Sequence, residues 1–336
     1  MFRLLIRKAI LILILVPLLN VLGFFYAQVH PGRVTYGGIT RPDLIPPLSE
    51  RLSWQAYADY VGALRQGDMG SIGIIPVADV VLGPLGNSLV LLGIALAIIV
   101  VIGPLIGFIS VSPRSRRITP LALTLTTLGA SMPGFFLGVA IIAAMLYVVL
   151  FNANVTQTPL PISGFGFGIN LVLPVLVLAS RPTLQVARLT AGYFEHELQQ
   201  DYIRVARSKG LGWFRLFWQH VLPGIASPIL VTVGQSMRLL LSGLIIVESL
   251  FQWPGVGAMF MMGVGIRTDG RAPVQYFGSP PLLAMLAVVF GAMLLFSDFF
   301  ITLLATWLDP RLRQAADRSA SGRTAGARVV STGTGG

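Results

Sequence analysis

The sequence contains no cysteine and is poor in charged residues, lysine and histidine. Without cysteine, a disulfide framework, a thiolate metal site and a cysteine nucleophile are all excluded. Only 11% of the 336 residues are charged, whereas a soluble domain carries roughly 25%. So few charges cannot cover the surface of a globular protein of this length. With 54% hydrophobic residues, the chain is predicted to lie in a lipid bilayer.

Long apolar runs are abundant, and a membrane-spanning helix needs about 20 such residues. The first run has the basic start of a signal peptide, but no small-x-small cleavage site follows it, so we expect it to remain as a helix. Pro133 and Gly134 predict a kink or an irregular start within the third run. The sequence therefore predicts an all-α integral membrane protein with about six transmembrane helices, near residues 9–26, 87–111, 119–151, 169–189, 225–250 and 281–308.

The basic residues are distributed unequally between the two sides of the predicted membrane. The chain has 24 basic and 13 acidic residues, a net charge of +11. Seventeen basic residues, counting Arg181, fall on the side of the two termini, six fall on the other side, and Arg238 lies within a span. Because Lys and Arg are enriched in cytoplasmic loops, both termini are predicted to be cytoplasmic. This placement explains the excess of basic residues, so nucleic-acid binding is not needed to account for it.

The chain divides into four predicted parts. Residues 1–26 form an N-terminal transmembrane helix, and residues 27–86 form a large extracytoplasmic segment with a short helix near 48–64. Residues 87–310 form a core of five helices that includes a hydrophilic cytoplasmic loop at 193–223. The tail at 311–336 is rich in Ala, Ser, Thr, Gly and Arg, so it buries too little apolar surface to fold and is predicted to be disordered.

The hydrophilic loop contains the block DYIRVARSKGLGWFRLFWQHVLPG from Asp201 to Gly224. Asp201 is predicted to be a helix N-cap, and Gly210 suits the position after the helix end. Helical periodicity places Tyr202, Val205 and Ala206 on one face, with the basic residues on the others. A block of this kind can contact a soluble partner, or it can be an interfacial loop whose Arg and aromatic residues lie among lipid headgroups.

The block resembles the cytoplasmic loop of permease subunits of binding-protein-dependent ABC importers, in the dipeptide, oligopeptide and nickel branch. The shared pattern is D-Y-I-R-x-A-R-S-K-G-L followed by H-x-L-P. The stretches GDMG at 67–70, SMPGFFLG at 131–138, ESLFQWPGVG at 248–257 and LDPRLR at 308–313 also resemble that branch, specifically the first, B-type permease of peptide importers. The chain departs from the family at Gly224, at Arg181-Pro182 and in the outer segment.

The resemblance implies a type-I ABC importer permease fold in the bacterial cytoplasmic (inner) membrane. It implies as partners a second homologous permease subunit, two cytoplasmic ATPase subunits and an extracytoplasmic substrate-binding protein docked on residues 28–86 and 252–278, besides membrane lipid. ATP and Mg²⁺ would be bound by the ATPase subunits, with no cofactor on this chain. The ATPase-coupling residues implied by the resemblance are Asp201, Tyr202, Arg204, Ala206, Arg207, Lys209, Gly210 and Leu211.

The sequence itself lacks the phosphate-binding loop G-x-x-x-x-G-K-[ST], because neither lysine follows a glycine. The chain is therefore predicted not to be an enzyme, and a transporter of this kind needs its motor on separate subunits. A self-sufficient secondary transporter is the alternative, and it would not need the cytoplasmic block. Di- and oligopeptides are the expected substrates, and nickel or glutathione-type substrates remain open within the same class.

Arg238, Glu248 and Asp298 lie in predicted spans, where a charge costs at least about 2.5–3.5 kcal/mol. Such residues face protein or water. Arg238 lies 15 residues beyond Pro223, roughly 22 Å along a helix, which is too deep for easy snorkelling. Two interpretations stay open: Arg238 lines the pathway and meets a peptide carboxylate or a backbone carbonyl, or it forms a structural pair, for example with Asp298.

An intramembrane serine protease is the enzyme alternative, since Gly129-Ala130-Ser131 resembles the serine motif of rhomboid proteases. Such an enzyme needs a histidine base in a later span. The three histidines, at 30, 196 and 220, all fall in predicted loops, which removes the mechanism. The run Glu195-His196-Glu197 lacks the H-E-x-x-H spacing of a metal site.

Overall fold

The computed structural model describes residues 2–30, 35–36, 39–40, 47–72, 74–112, 115–152, 157–264 and 279–308. Within these residues, six helices are long and apolar enough to cross a membrane. Their candidate spans are Ile6–Val29, Val77–Ile109, Gly134–Phe151, Ile169–Leu198, Trp213–Leu250 and Pro280–Leu303. The predicted number of transmembrane helices is therefore confirmed.

The elements follow one another as helices with two small hairpins in the outer segment. The first part of the chain holds α1 (Phe2–Val29), β1 (Thr35–Tyr36), β2 (Ile39–Thr40), α2 (Leu48–Arg51), α3 (Trp54–Arg65), β3 (Ser71–Ile72), β4 (Ile75–Pro76) and α4 (Val77–Ile109). The rest holds α5 (Pro120–Ser131), α6 (Gly134–Phe151), α7 (Val172–Leu198), α8 (Asp201–Ser208), α9 (Trp213–Leu216), α10 (Leu222–Leu250), α11 (Val256–Gly263) and α12 (Pro280–Leu308). A π-helical turn at Phe217–Val221 joins α9 to α10.

Two helix boundaries differ clearly from the sequence prediction. Helix α4 begins at Val77, ten residues before the predicted start at 87, and α7 continues to Leu198, nine residues past the predicted end at 189. Apolar content marks where a helix enters lipid, but helical hydrogen bonding does not stop at that boundary. Two of the histidines, predicted in loops, consequently lie in helical turns, His196 in α7 and His220 in the π turn.

Two predicted elements each turn out to be a pair of helices. The third span is broken between α5 and α6, where Met132 and Pro133 are extended. Pro133 donates no amide proton and disfavours helical geometry at the residue before it, so the predicted kink is a full break. The predicted outer helix near 48–64 is divided at Leu52 and Ser53 into α2 and α3. Ser53 caps α3 by accepting a hydrogen bond from the Ala56 amide at 3.1 Å.

Helix α7 is the centre of the bundle. It packs against α4, α5, α6 and α10, and half of its apolar window is buried, compared with 6% for α6. The core between these helices is formed by fully buried aliphatic side chains. Its main members are Leu91, Ile99, Val177, Val186, Leu240 and Leu244. Helix α1 instead packs along α12.

The outer segment is attached to the bundle through the end of α1. The Asn20 side chain donates to the Tyr60 hydroxyl at 3.2 Å and accepts from the Tyr57 hydroxyl at 3.2 Å. Phe24 stacks on Tyr60 with 5.1 Å between ring centroids. Burial raises the pKa of the Tyr60 hydroxyl above its ordinary value. These contacts hold α3 against the exit of the first span.

We expect the α4–α7 contact to depend on Gly107. A Cβ at Gly107 would come within 2.6 Å of the Thr190 Cβ and 2.7 Å of the Ala187 carbonyl oxygen, whereas a Cβ at Gly93 in the same helix would meet nothing within 4 Å. Gly107→Leu should therefore separate the helices and sharply reduce the yield of monodisperse protein in mild detergent, measured by size-exclusion chromatography. Gly93→Leu is the matched control and should behave like the wild type; equal yields from both variants would contradict the contact.

Candidate functional site

The cytoplasmic block folds as α8, a tight glycine turn and α9. Gln200, not Asp201, occupies the N-cap position of α8, so the predicted N-cap was wrong by one residue. The Asp201 carboxylate instead pairs with Arg204 at 3.2 Å. Gly210 follows the helix end with φ of +81° and donates its amide to the Arg207 carbonyl at 2.8 Å. A side chain at that φ would be strained, which confirms the prediction for Gly210.

The two faces of α8 differ from the prediction at Ala206. Ile203 and Ala206, three residues apart, turn into the core of the chain, and Ala206 is only 6% exposed. Tyr202 and Val205 turn outward and are 46% and 52% exposed. Packing of Ile203 against the core selects the buried face, so the Ala206 side chain lies inside and Val205 lies on the exposed face.

The exposed side of the block combines cations with aromatic rings. The Arg207 guanidinium lies 5.5 Å from the centre of the Trp213 ring. Burial, reinforced by the neighbouring Arg116, lowers the pKa of the Arg207 guanidinium. Residues 209–215 line a shallow cavity of about 510 Å³.

The predicted coupling residues thus occupy different environments. Asp201, Tyr202, Arg204, Lys209 and Gly210 are exposed, Arg207 and Leu211 are half-buried, and Ala206 is buried. The Tyr202 hydroxyl also donates to the Glu197 carboxylate at the end of α7. A patch of exposed apolar and basic side chains on the block is called the cytoplasmic surface, after the side predicted for it; it consists of Tyr202, Arg204, Val205, Lys209, Trp213, Phe214 and Trp218.

Glu248 is sequestered inside the protein. Its side chain is 0% exposed and accepts hydrogen bonds from the Ser88 hydroxyl at 2.5 Å, the Gly257 amide at 2.7 Å and the Ala258 amide at 3.2 Å. The two amides belong to the first turn of α11, where a carboxylate satisfies free N–H groups and the helix dipole. Glu248, predicted as an intramembrane charge that faces protein or water, faces protein, because its carboxylate caps α11.

The motif around Glu248 joins the C-terminal end of α10 to α4. The Val256 amide donates to the Ser88 hydroxyl at 2.9 Å, and the Asn87 side chain donates to the Pro254 carbonyl at 2.9 Å. The fully buried Trp253 donates from its indole nitrogen to the Asn87 carbonyl at 3.3 Å. The sequence singled out this motif, but nothing in it pointed to Asn87 and Ser88, which lie at least 160 positions away.

Asp298 of α12 receives two cations. It contacts the Lys8 ammonium of α1, and its other oxygen lies 3.5 Å from the Arg238 guanidinium of α10. The pair of Arg238 with Asp298, one of the two interpretations that the sequence leaves open, is therefore present. Lys8 belongs to the basic start of the first span, and its contact with Asp298 was not predicted. Lys8, Arg238 and Asp298 together carry a net charge of +1. The Arg238 side chain remains 53% exposed.

A polar face runs along α10 beside this cluster. Gln235, Arg238 and Ser242 are exposed and lie at positions i, i+3 and i+7 of the helix. Polar and charged side chains facing lipid are costly, so this face has to meet protein or water. Ser242, at one end of this face, also lines a cavity together with Arg181 of α7. We call these four residues the polar track.

Arg181 was counted among the basic residues on the side of the termini, although its position falls within the predicted span 169–189, and the structure places it inside the candidate span Ile169–Leu198. It is the tenth residue of the 27-residue helix α7, so it lies in the middle of a span. Its Nε donates to the Ala130 carbonyl at 3.2 Å, near the break between α5 and α6. The count of basic residues on the side of the termini falls by one, and the charge asymmetry remains.

Comparison with known proteins identifies the class. Residues 90–314 match the model of the family described as binding-protein-dependent transport system inner membrane component. The match covers more than half of the chain, so the chain belongs to this family. It is a multi-pass membrane transport protein with the type-I ABC importer permease fold, and the resemblance expected from the sequence is confirmed.

Three curated relatives illustrate the similarity. A dipeptide transport system permease protein of Lactococcus lactis subsp. cremoris is 29% identical over 93% of this chain and 100% of the relative. One from Bacillus subtilis is 30% identical over 65% of each chain. A glutathione transport system permease protein of Escherichia coli K12 is 28% identical over 74% of this chain and 82% of the relative. Family membership leaves no support for a rhomboid-type protease.

Removing the Glu248 carboxylate should weaken the outer end of the bundle. Glu248→Ala leaves the Ser88 hydroxyl and two amides unpaired in the protein interior, each at a cost of about 1–3 kcal/mol. Glu248→Gln keeps one acceptor and should lose less. Thermal unfolding midpoints in detergent should fall in the order wild type, Gln variant, Ala variant. A midpoint for the Ala variant equal to that of the wild type would refute the capping role.

Charge balance around Asp298 gives a second test. Asp298→Asn leaves Lys8 and Arg238 without a counter-charge and should reduce the amount of folded protein in the membrane. Adding Arg238→Gln removes one of the two stranded cations and should restore part of that amount. Quantitative immunoblots of detergent-extracted protein measure both. A double variant no better than Asp298→Asn would show that the three charges do not act as one cluster.

Proposed function

We propose that this chain is the transmembrane permease subunit of an ATP-driven importer and forms the translocation pathway for di- or oligopeptides delivered by an external binding protein. The observation that carries this proposal is the cytoplasmic surface, an exposed apolar and basic patch at the inner ends of α7 and α10. Val205 and Phe214 there are more than half exposed. Exposed aromatic and apolar groups beside cations favour a protein partner with carboxylates.

The block that carries this surface is tied firmly to the two helices behind it. Ile203 of α8 and Leu216 of α9 are fully buried in the same core as α7 and α10. Only two residues separate α7 from α8, and the π turn joins α9 to α10 without a gap. A displacement of the surface by a partner would therefore be passed to α7 and α10, which carry Arg181 and Arg238 of the polar track.

The motor is proposed to reside on two cytoplasmic ATPase subunits that bind ATP and Mg²⁺. In this alternating-access scheme, closure of the ATPase pair moves the block and opens the spans outward, and hydrolysis resets them. The absence of a phosphate-binding loop from the sequence supports this division of labour. We propose that this chain is a transport subunit and not itself an enzyme.

The remaining partners follow from the same reasoning. A second, homologous permease subunit would cover the polar face of α10, because Arg238 and its neighbours are unsuited to lipid. The external binding protein would dock on residues 28–86 and on the loop from 252 to 278. Of these, residues 31–34, 37–38, 41–46, 73 and 265–278 lie outside the described residues. With the surface inside, both termini are cytoplasmic; the tail at 311–336, predicted to be disordered, also lies outside the described residues.

The substrate is proposed from the relatives and the charge of the polar track. The relatives are named for dipeptide and glutathione transport, and both substrates carry carboxylates. Arg181 and the cluster of Lys8, Arg238 and Asp298 together carry a net charge of about +2, which suits such carboxylates. The same charges repel a bare nickel ion, so a peptide or a glutathione-type substrate is favoured over nickel.

Placing a charge on the cytoplasmic surface should detach the ATPase. Val205→Glu puts a carboxylate into the proposed interface and should reduce co-purification of an ATPase roughly tenfold or more, the effect expected of a central contact. The measurement is a gentle detergent pull-down from the native membrane followed by mass spectrometry.

The matched control is Ala58→Glu, which adds the same charge at an exposed position of α3 in the outer segment. It should retain the ATPase. A wild-type chain that purifies alone, with both variants behaving like it, would overturn the importer proposal and favour a self-sufficient secondary transporter.

A further inference from the structure

Arg181 is an unusual residue for its position, because the cation lies far from either end of its helix. It is nine residues beyond the start of α7 at Val172, roughly 14 Å along the helix. Ser242 is eight residues before the end of α10 at Leu250, roughly 12 Å from that end. The two residues therefore lie at a similar distance from the predicted outer ends of their helices.

Between them lies a cavity of about 190 Å³ at the break of the third span. The break supplies Pro133 and Gly134, α7 supplies Arg181, and α10 supplies Ser242 and Gly243. Most of the other lining is aliphatic, so a polar ligand group placed there would be directed to the few polar side chains. The volume suits one end of a small molecule rather than a whole peptide.

The guanidinium of Arg181 is only partly used by the protein. Its Nε donates to the Ala130 carbonyl, which fixes the plane of the group. In the part of the chain that the structure describes, no carboxylate lies within ion-pairing distance of Arg181, in contrast to Arg238 with Asp298. The terminal nitrogens remain as donors in the fork geometry that binds a carboxylate through two hydrogen bonds.

The start of α6 adds to the positive potential of the same cavity. Gly134 and Phe135 form the first turn of this 18-residue helix and line the cavity, and Pro133 at the N-cap provides no side-chain acceptor for their amides. The amide groups of a first helical turn carry partial positive charge. This contribution reinforces that of Arg181, which provides the full charge.

We propose that Arg181 and this cavity form a binding site for the carboxylate of the transported substrate, and that Arg181 determines specificity for substrates that carry one. The inference rests on the proposed importer function and deepens it. The chemistry is that of a peptide C-terminus or a glutathione carboxylate, and a bare divalent cation would be repelled.

Direct binding to the purified transporter complex, without the external binding protein, tests this site. The probe is a radiolabelled dipeptide, displaced by the same unlabelled dipeptide or by its C-terminal amide, which lacks the charge. For the wild type, the amide should compete roughly tenfold more weakly, as expected when a hydrogen bond to a charged group is lost. In Arg181→Gln, the free acid should weaken to the level of the amide, with the amide unchanged, and Arg181→Lys should lie between.

Arg188→Gln is the matched control. Arg188 is an exposed cation seven residues further along α7, on the same helix face but outside the cavity, so its variant should keep the wild-type ratio of affinities. Equal losses for acid and amide in Arg181→Gln would indicate a structural role and overturn the proposal. An unchanged ratio, or no measurable binding of the dipeptide to the wild type, would overturn it as well.

Failure of this inference can be separated from failure of the importer proposal. ATP-dependent dipeptide uptake into proteoliposomes by the wild-type complex with its binding protein tests the importer proposal alone. If the wild-type complex takes up the dipeptide while Arg181→Gln keeps the wild-type ratio of acid to amide binding affinities, the carboxylate site is rejected and the importer function stands.

Discussion

The structure depends on one constraint: lipid offers no hydrogen bonds, so each charged group within the spans must be satisfied by protein or water. Glu248 meets this requirement completely, with a hydroxyl and two amides around a carboxylate that has no exposed surface. Asp298 meets it with two cations from two other helices. The partners of Glu248 connect α10 to α4 and α11. The partners of Asp298 connect α12 to α1 and α10.

The same constraint separates structural charges from those available for function. Glu248 is fully enclosed, and its hydrogen bonds hold α4, α10 and α11 together. Arg238 is paired but half exposed, and Arg181 uses one nitrogen on a backbone carbonyl while lining a cavity. A charge that the protein does not neutralise fully is costly to keep in a membrane, and that cost is balanced if water or an anionic ligand reaches it. The two arginines of the polar track are the residues in that position.

Much of this arrangement could be predicted from the sequence, because its signals are local. Six apolar runs predict six spanning helices, and Pro133 predicts the break, since both depend on neighbouring residues. The partners of Glu248 could not be predicted, because Ser88 is 160 positions distant and carries no motif. Lys8 and Arg181 were placed at the membrane surface for a related reason: residue type alone does not tell how deep a helix carries its side chains. The buried face of α8 was not predicted correctly, because eight residues make only about two helical turns. Periodicity over so short a helix does not define which face is buried, and tertiary packing decides it.

The bundle also explains how a surface outside the membrane can influence a site within it. The cytoplasmic surface rests on Ile203, Ala206 and Leu216, which belong to the core shared with α7 and α10. Closely packed cores transmit displacement because they have little free volume to absorb it. Arg181 and Ser242 approach each other from these same two helices, across a cavity that also borders the broken third span. Under the proposed function, a relative movement of α7 and α10 would change the distance between the groups that line the cavity, and this would couple the block to the polar track through the protein core.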